Sequence, residues 1–303
     1  MSFKVIKAGI FTTLQDRGRF GFTHLGVTNS GVMDEYSALA AQKLLDNAQD
    51  TNILEITFAP VELKADANTS FCVTGALCEV FINEQLKNSW QVHKIQKGDV
   101  VKVQIILEGQ RVYLAVKNGF DIAKEFGSNS TTIKESLGGI SGIQIKNADI
   151  LPYKQNSEDI INRWHENHIP KYEKELVLRV ILSYQEESFS KEEKEKFFNS
   201  TYTITQDFNR MACKLSGEKI LSSLDGIISE AITFGSIQIP KDGQPIILLK
   251  ERQTIGGYPK IGTVLSIDCF KLAQMRIDTK VRFEPIDINT AQDKLRDFYS
   301  TFA

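Results

Sequence analysis

Between Asn52 and Val116 the chain reads Ile53-Leu54-Glu55-Ile56-Thr57-Phe58, Val61-Glu62-Leu63-Lys64-Ala65, Phe71-Cys72-Val73-Thr74-Gly75, Glu79-Val80-Phe81-Ile82, Val100 to Leu107 and Val112-Tyr113-Leu114-Ala115-Val116. These are short runs of alternating or β-branched character, each bounded by turn residues, and that period of two is the mark of strands. Asn83-Glu84 and Glu108-Gly109 are the expected hairpin turns. Strand following strand with no helix between them implies an antiparallel barrel or sandwich rather than a doubly wound sheet.

Working outward, Tyr36, Leu39, Ala40 and Leu44 recur at helical spacing and predict one helix before the strands. Beyond Leu151 the periodicity fades into Asn, Glu, Lys and His with Pro170, which predicts an exposed connection over 151–175. The expected division is therefore a first β domain at 1–150 and a second at 176–303. Strands in the second half are expected at Leu176 to Leu182, Thr201 to Thr205, Ile232 to Ile239, Ile246 to Leu249, Val264 to Ile267 and Val281 to Pro285. Ser190 and Glu193 have capping-box spacing before Phe197 and Phe198. Asn289 is the expected cap of a last helix with Ala291, Leu295, Phe298 and Tyr299 on one face. Gly109-Gln110-Arg111-Val112-Tyr113-Leu114 echoes Gly243-Gln244-Pro245-Ile246-Ile247-Leu248, either a duplicated hairpin or reuse of common turn chemistry.

With 303 residues, 42% hydrophobic and 24% charged, the composition is that of a globular protein and excludes disordered and fibrous classes. A net charge of -2 gives no field that would draw in nucleic acid or an anionic membrane. No leader-like start or membrane-length apolar run is present, so the expectation is cytoplasmic. Cys72, Cys78, Cys213 and Cys269 show no metal or redox spacing and read as reduced thiols. His165 and His168 flank Glu166, but this is not the i, i+4 zinc spacing, and no metal site is expected.

Four stretches carry more polar chemistry than packing demands. Thr12 to Gly21, with Gly26-Val27 and Ser30 to Asp34, sets Arg17 and Arg19 among glycines that let backbone N–H groups approach an anion; a turn-rich lead-in with solvated charges reads the same way. Phe126 to Thr132, followed by Gly138-Gly139, is either an anion-binding nest or a flexible polar loop. Asp207 to Gly217 reads as a loop entering a strand. The sharpest runs from Phe234-Gly235-Ser236-Ile237-Gln238-Ile239-Pro240 through Gly243-Gln244-Pro245 to Glu251-Arg252-Gln253-Thr254-Ile255-Gly256-Gly257-Tyr258-Pro259. There Gly256-Gly257 is expected to adopt backbone geometry closed to other residues, with Arg252 as a fixed cation nearby. No phosphate loop, strand-linked G-x-G-x-x-G or G-x-S-x-G elbow occurs.

Taken together, T-T-x-Q-D-x-G-R-x-G, S-G-x-M-D, G-S-x-S-T, G-x-I-Q-x-P-x-D-G-Q-P-I and R-Q-T-x-G-G-Y-P resemble the family variously called allophanate hydrolase subunit 2, biotin-dependent carboxyltransferase, KipA-like or the C subunit of 5-oxoprolinase. The resemblance runs from Thr12 to about Phe283. It implies a mainly β fold of two cyclophilin-like β-barrel domains. It also implies a partner like KipI or the B subunit of 5-oxoprolinase, with a separate A subunit. The chain lacks an A-M-K-M biotinylation motif, so no covalent biotin is expected on it. Where the family reads D-R-M-G-Y-R-L this chain has Asn209-Arg210-Met211-Ala212-Cys213-Lys214-Leu215, and Glu251 stands where Asp is common.

Of the activities the resemblance implies, 5-oxoprolinase is the first expectation: a resonance-stabilised lactam is opened by coupling to ATP, with Mg²⁺ shared with a partner. Phosphorylation of the amide oxygen makes the ring carbon electrophilic towards water. In that reading Asp16, Asp34, Arg252 and Tyr258 are the catalytic candidates. Arg17, Arg252 and the loop of Gly127, Ser128, Ser130 and Thr131 neutralise carboxylate or phosphate charge, while Gln15, Gln244 and Tyr258 orient the amide. Ser30, Pro245, Gln253, Thr254, Gly256, Gly257 and Pro259 complete the expected substrate site. Carboxyl transfer to urea or a related amide, and non-enzymatic binding of a kinase inhibitor, are the alternatives.

Overall fold

The computed structural model describes residues 1–302, which form two compact units, Met1–Gly21 with Asn29–Tyr172 and Phe22–Thr28 with the chain from Glu173 onward. The first unit contains β1 (Ser2–Lys7), β2 (Phe11–Gln15), α1 (Glu35–Leu44), β3 (Ile53–Phe58), β4 (Val61–Ala65), β5 (Thr69–Ile82), β6 (Gln85–Lys87), β7 (Val92–Ile95), β8 (Val100–Val116) and β9 (Ile150–Pro152). Among the described residues these make one nine-stranded sheet, ordered β2-β3-β8-β4-β1-β9, with β5 lying on β8 and pairing β6 and β7.

At about 3.3 Å per residue the 17-residue β8 would run roughly 56 Å if straight, far more than one small domain can cover. It bends instead, because its antiparallel partner β5 shifts register at Gly75/Leu77, Leu77/Cys78 and Cys78/Val80. Gly75 sits at φ +91 where an added Cβ would lie 2.4 Å from the Arg111 carbonyl oxygen. Glu108-Gly109, expected as a hairpin turn, is therefore part of a continuous bent strand: the positive φ of Gly109, +83, serves the bend. Asn83-Glu84 does form a turn, with both residues at positive φ. The sheet wraps a core that includes Phe3, Leu14, Leu54, Ile56, Phe71 and Leu114, each essentially inaccessible to water. Removing one such side chain costs about 2–5 kcal/mol. At the end of the expected connection, β9 pairs with β1 and Tyr153 is buried against Phe3 with its hydroxyl on the Ala67 carbonyl.

The second unit contains β10 (Glu175–Leu182), α2 (Lys191–Asn199), β11 (Tyr202–Phe208), β12 (Ala212–Ser216), β13 (Glu230–Ala231), β14 (Ser236–Gln238), β15 (Ile246–Leu248), β16 (Ile255–Gly256), β17 (Lys260–Val264), α3 (Ser266–Leu272), β18 (Lys280–Pro285) and α4 (Ile288–Ser300). Among the described residues a closed barrel runs β10-β17-β14-β15-β12-β11-β18, and the parallel pair β10–β18 shuts it. Alternate residues point inward, as in Leu176, Leu178 and Val180 on β10 and Val281 and Phe283 on β18, so the interior fills with side chains. The protein is mostly β, as the sequence predicts.

Three local expectations are corrected. The strand expected at Val264 to Ile267 ends at Val264, and α3 begins at Ser266 with Asp268 in its first turn bound by Arg179 through the backbone N–H, Nε and Nη2. A four-residue apolar run cannot distinguish strand from helix by period. The cap of α4 is Asp287, which accepts from the N–H groups of Asn289 and Thr290, rather than Asn289. At α2, Ser190 accepts from the Glu193 N–H, but the Glu193 carboxylate bonds Lys196 and the Leu221 N–H, so only half of the box forms. Among the described residues no helix is long and apolar enough to cross a membrane.

Candidate functional site

In the first unit Asp16, just past β2, is 5% exposed and draws the two glycine-rich stretches together. Its Oδ1 accepts from the Gly18 N–H at 2.8 Å and from the hydroxyls of Ser128 and Ser130, each at 2.6 Å. Its Oδ2 accepts from the Asn129 N–H at 2.6 Å. Ser130 Oγ in turn takes the Asp16 N–H at 3.0 Å, and Ser128 Oγ takes the Ser130 N–H at 3.0 Å.

Gln15, Ser30 and Thr131 continue this frame. Gln15 Nε2 donates to Thr13 Oγ1 and the Thr131 carbonyl, and Ser30 Oγ reaches both Gln15 Oε1 and the same carbonyl. All three are within 1% of complete burial. Arg19 lies beneath them, also buried, with Nη1 on Thr132 Oγ1 and Nη2 on the Ser130 carbonyl. An added Cβ on Gly138 would come within 2.0 Å of that carbonyl oxygen, so the close approach requires glycine there. Arg19 belongs to the first motif but is not among the expected site residues; its position two residues from Arg17, between glycines, is the signal for it.

Asp34 is the N-cap of α1, its carboxylate accepting from Ser37 N–H and Oγ, while its own N–H donates to the Tyr113 hydroxyl. That hydroxyl donates to Glu55, and burial, with the Glu55 and Asp34 charges, pushes the Tyr113 phenol well above its ordinary value. Glu35 next in sequence reaches Arg17 at 3.1 Å, which joins the helix start to the Asp16 frame.

The accessible part of this region is a cavity of about 340 Å³ lined by Arg17, Gly18, Phe20, Asp50, Lys124 and Gly127, with Asp16 at its base. Arg17 keeps 38% of its side chain exposed, and Lys124 lies 3.6 Å from Asp50. Asp50 carries no sequence signal, whereas Lys124 lies two residues before the Phe126 to Thr132 stretch, and that proximity is the signal for it. The volume suits a small carboxylate compound and is at the low end of ligand pockets. Among the described residues no three of His, Cys, Asp and Glu gather as metal ligands.

In the second unit the R-Q-T-x-G-G-Y-P stretch leaves β15 and returns through β16. Arg252 Nε donates to the Ile232 carbonyl at 3.0 Å, and burial pulls its guanidinium down to about 10, still charged at neutral pH. Neither Gly256 nor Gly257 takes a left-handed φ; the need at Gly256 is space, as an added Cβ would lie 2.4 Å from Ile232 Cδ1 and 2.7 Å from Gln238 Nε2. Gln238 is 6% exposed, and among the described residues its Nε2 has no hydrogen-bond partner. Thr254 and Pro259 offer backbone carbonyls to Ile232 and Ile239, while Gln253 and Tyr258 are exposed. Gln244 is engaged elsewhere, bracketing Gly217 through both its amide oxygen and nitrogen, and the Pro245 carbonyl holds Leu215.

A closed β barrel and a curled β sheet with polar, glycine-framed loops define a two-part β protein. The fold recurs in urea carboxylase of Kluyveromyces lactis, with a TM-score of 0.93 at 23% identity over 99% of this chain and 29% of that one. The chain belongs to the family described as carboxyltransferase domain, subdomain A and B, which it matches over residues 25–285. It is 32% identical over 285 residues to the C subunit of 5-oxoprolinase from Haemophilus influenzae, covering 94% of this chain and 91% of that protein. It is 29% identical over 305 residues to the C subunit of 5-oxoprolinase from Escherichia coli K12, covering 97% and 96%. Urea amidolyase of Lachancea kluyveri is 25% identical over 315 residues, but those cover only 17% of its length.

Proposed function

We propose that this chain is the C subunit of an ATP-dependent 5-oxoprolinase, acting with partners of the B and A type to open 5-oxo-L-proline to L-glutamate. The observation that carries this reading is extent: the chain aligns with 91% and 96% of two proteins named as the C subunit of 5-oxoprolinase, but with 17% of a urea amidolyase.

In this reading the Arg17 cavity takes the carboxylate of the lactam, Arg17 supplying a charge-assisted contact beside the Gly127 backbone. In the second unit the charged Arg252 and the exposed Tyr258, with Gln253, Thr254, Gly256, Gly257 and Pro259 forming the surrounding backbone, are a separate candidate for holding an anionic group. ATP, with Mg²⁺, is the co-substrate that phosphorylates the amide oxygen. Water then adds at the ring carbon and the C–N bond breaks with the amine as leaving group, giving an acyl phosphate that a second water hydrolyses to L-glutamate and inorganic phosphate. Gln15, Ser30, Ser128, Ser130 and Thr131 support the cavity from within, and Gln244 and Pro245 support the barrel end.

The purified complex of all three subunits should hydrolyse ATP only when 5-oxoproline is present, and R17A should raise KM for 5-oxoproline at least tenfold. ATP hydrolysis indifferent to 5-oxoproline rejects the reading. Carboxyl transfer to an amide is the second reading, favoured by the family match and by the fold of the Kluyveromyces lactis enzyme. It requires a separate biotinylated carrier, and carboxylation of urea by this chain with such a carrier would replace the first.

A further inference from the structure

We propose that Asp16 is a positioning residue: its carboxylate holds the Arg17–Gly18 wall of the cavity against the Gly127–Ser130 wall and so sets where Arg17 presents its charge. The inference rests, for the ligand alone, on the reading that this cavity takes a small carboxylate; the clamp itself stands on the geometry.

A carboxylate offers about four lone-pair positions. At Asp16 four donors converge, Gly18 N–H, Ser128 Oγ and Ser130 Oγ on Oδ1 and Asn129 N–H on Oδ2, all between 2.6 and 2.8 Å. The two hydroxyls each donate to Asp16 and also accept, Ser130 from the Asp16 N–H and Ser128 from the Ser130 N–H. A general base needs a lone pair facing the proton it removes; Oδ1, with three donors, has none to offer, and Oδ2 belongs to a side chain only 5% exposed and already accepts from Asn129.

What these bonds control is the cavity rim. Arg17 lies between the two residues tied by the Gly18 N–H to Asp16 Oδ1 bond, a local turn that fixes the Arg17 backbone. On the facing side Phe126 and Gly127 stand at φ +51 and +75, so the loop reverses there, and Ser128 and Asn129 anchor its return to Asp16. Releasing the carboxylate frees both walls together, whereas Arg17 keeps its contact with Glu35.

The test compares D16N with S128A/S130A, which leaves the carboxylate intact and removes two of its donors. Amide hydrogen exchange is followed over 124–132 in the isolated chain, and KM and kcat are measured in the complex of all three subunits. A positioning role predicts at least tenfold faster exchange in both variants, a KM for 5-oxoproline raised at least fivefold in both, and kcat within twofold of wild type. Combining the changes should be no worse than the stronger of the two, because they break one unit. A hundredfold loss of kcat in D16N, with S128A/S130A at wild-type exchange and KM, would make Asp16 the base and overturn the proposal. Should D16N fail to fold, S128A/S130A alone decides: faster exchange with raised KM supports the clamp, and wild-type exchange overturns it. A wild-type complex inactive on 5-oxoproline rejects the functional reading, while the exchange comparison still supports or overturns the clamp.

Discussion

Arg210 Nε donates to Glu251 Oε1 at 2.5 Å, and the two side chains are only 5% and 13% exposed. Both positions belong to stretches where this chain departs from the family pattern. The backbone repeats the link, since the Glu251 N–H donates to the Arg210 carbonyl and the Leu249 N–H to that of Met211. Glu251 therefore acts on the Asn209-to-Leu215 segment and thereby fixes the start of the Arg252 loop.

Breaking this pair leaves a largely buried charge without its partner. E251A and R210A should each lower unfolding stability by about 3 kcal/mol, while E251Q, which keeps an accepting oxygen in place, should lose less. Urea unfolding of the three variants checks this; E251A indistinguishable from wild type would show that the pair contributes nothing.

Gly138 and Gly127 both take a left-handed φ but differ in surroundings. An added Cβ at Gly138 collides with the Ser130 carbonyl and Arg19, whereas at Gly127 nothing lies within 4 Å. G127A should cost only the conformational strain of about 1–2 kcal/mol, and G138A should cost more, visible as a lower melting temperature than that of G127A.

All four cysteines are buried free thiols. Burial pushes the Cys78 thiol up to about 12 and those of Cys72 and Cys269 further upward. Because the thiolate is the reactive form, native protein at pH 8 should take up a thiol reagent very slowly and release all four groups on denaturation. Rapid native labelling would contradict the burial.

The Asp287 cap gives a pH dependence with a definite sign. Bonds from Thr290 Oγ1 and N–H, with that of Asn289, hold its carboxyl below the ordinary value of 3.8. A carboxyl with a lowered folded pKa stabilises fully above its unfolded value, and that contribution is lost as pH falls through the lowered folded value. The melting temperature of wild type should thus fall more than that of D287N between pH 5 and pH 2; equal slopes would argue against the cap.

How far the sequence is legible follows the range of each interaction. Strands such as Ile53–Phe58 and Val61–Ala65, and the helix carrying Leu39 and Leu44, are readable because side-chain period is a local property. The fate of Gly109 is not, because a positive φ fits a hairpin turn and a strand bend equally, and only pairing with β5 selects the bend. The motif residues are legible as a set, but their roles are not. Gln15, Ser30 and Thr131 resemble ligand-binding groups in sequence yet are buried in the frame, while at the open cavity Asp50 has nothing in the sequence to mark it and Lys124 only its place beside the Phe126 to Thr132 stretch.

By itself the sequence determined a mostly β protein of this family, with glycines, arginines and hydroxyls concentrated in a few stretches, because those follow from composition and period along the chain. Only the tertiary structure decided that Asp16 and Ser128, 112 residues apart, share a hydrogen bond, and which polar groups face water. Exposure and partner choice are properties of neighbours brought together by folding, and no local pattern encodes them.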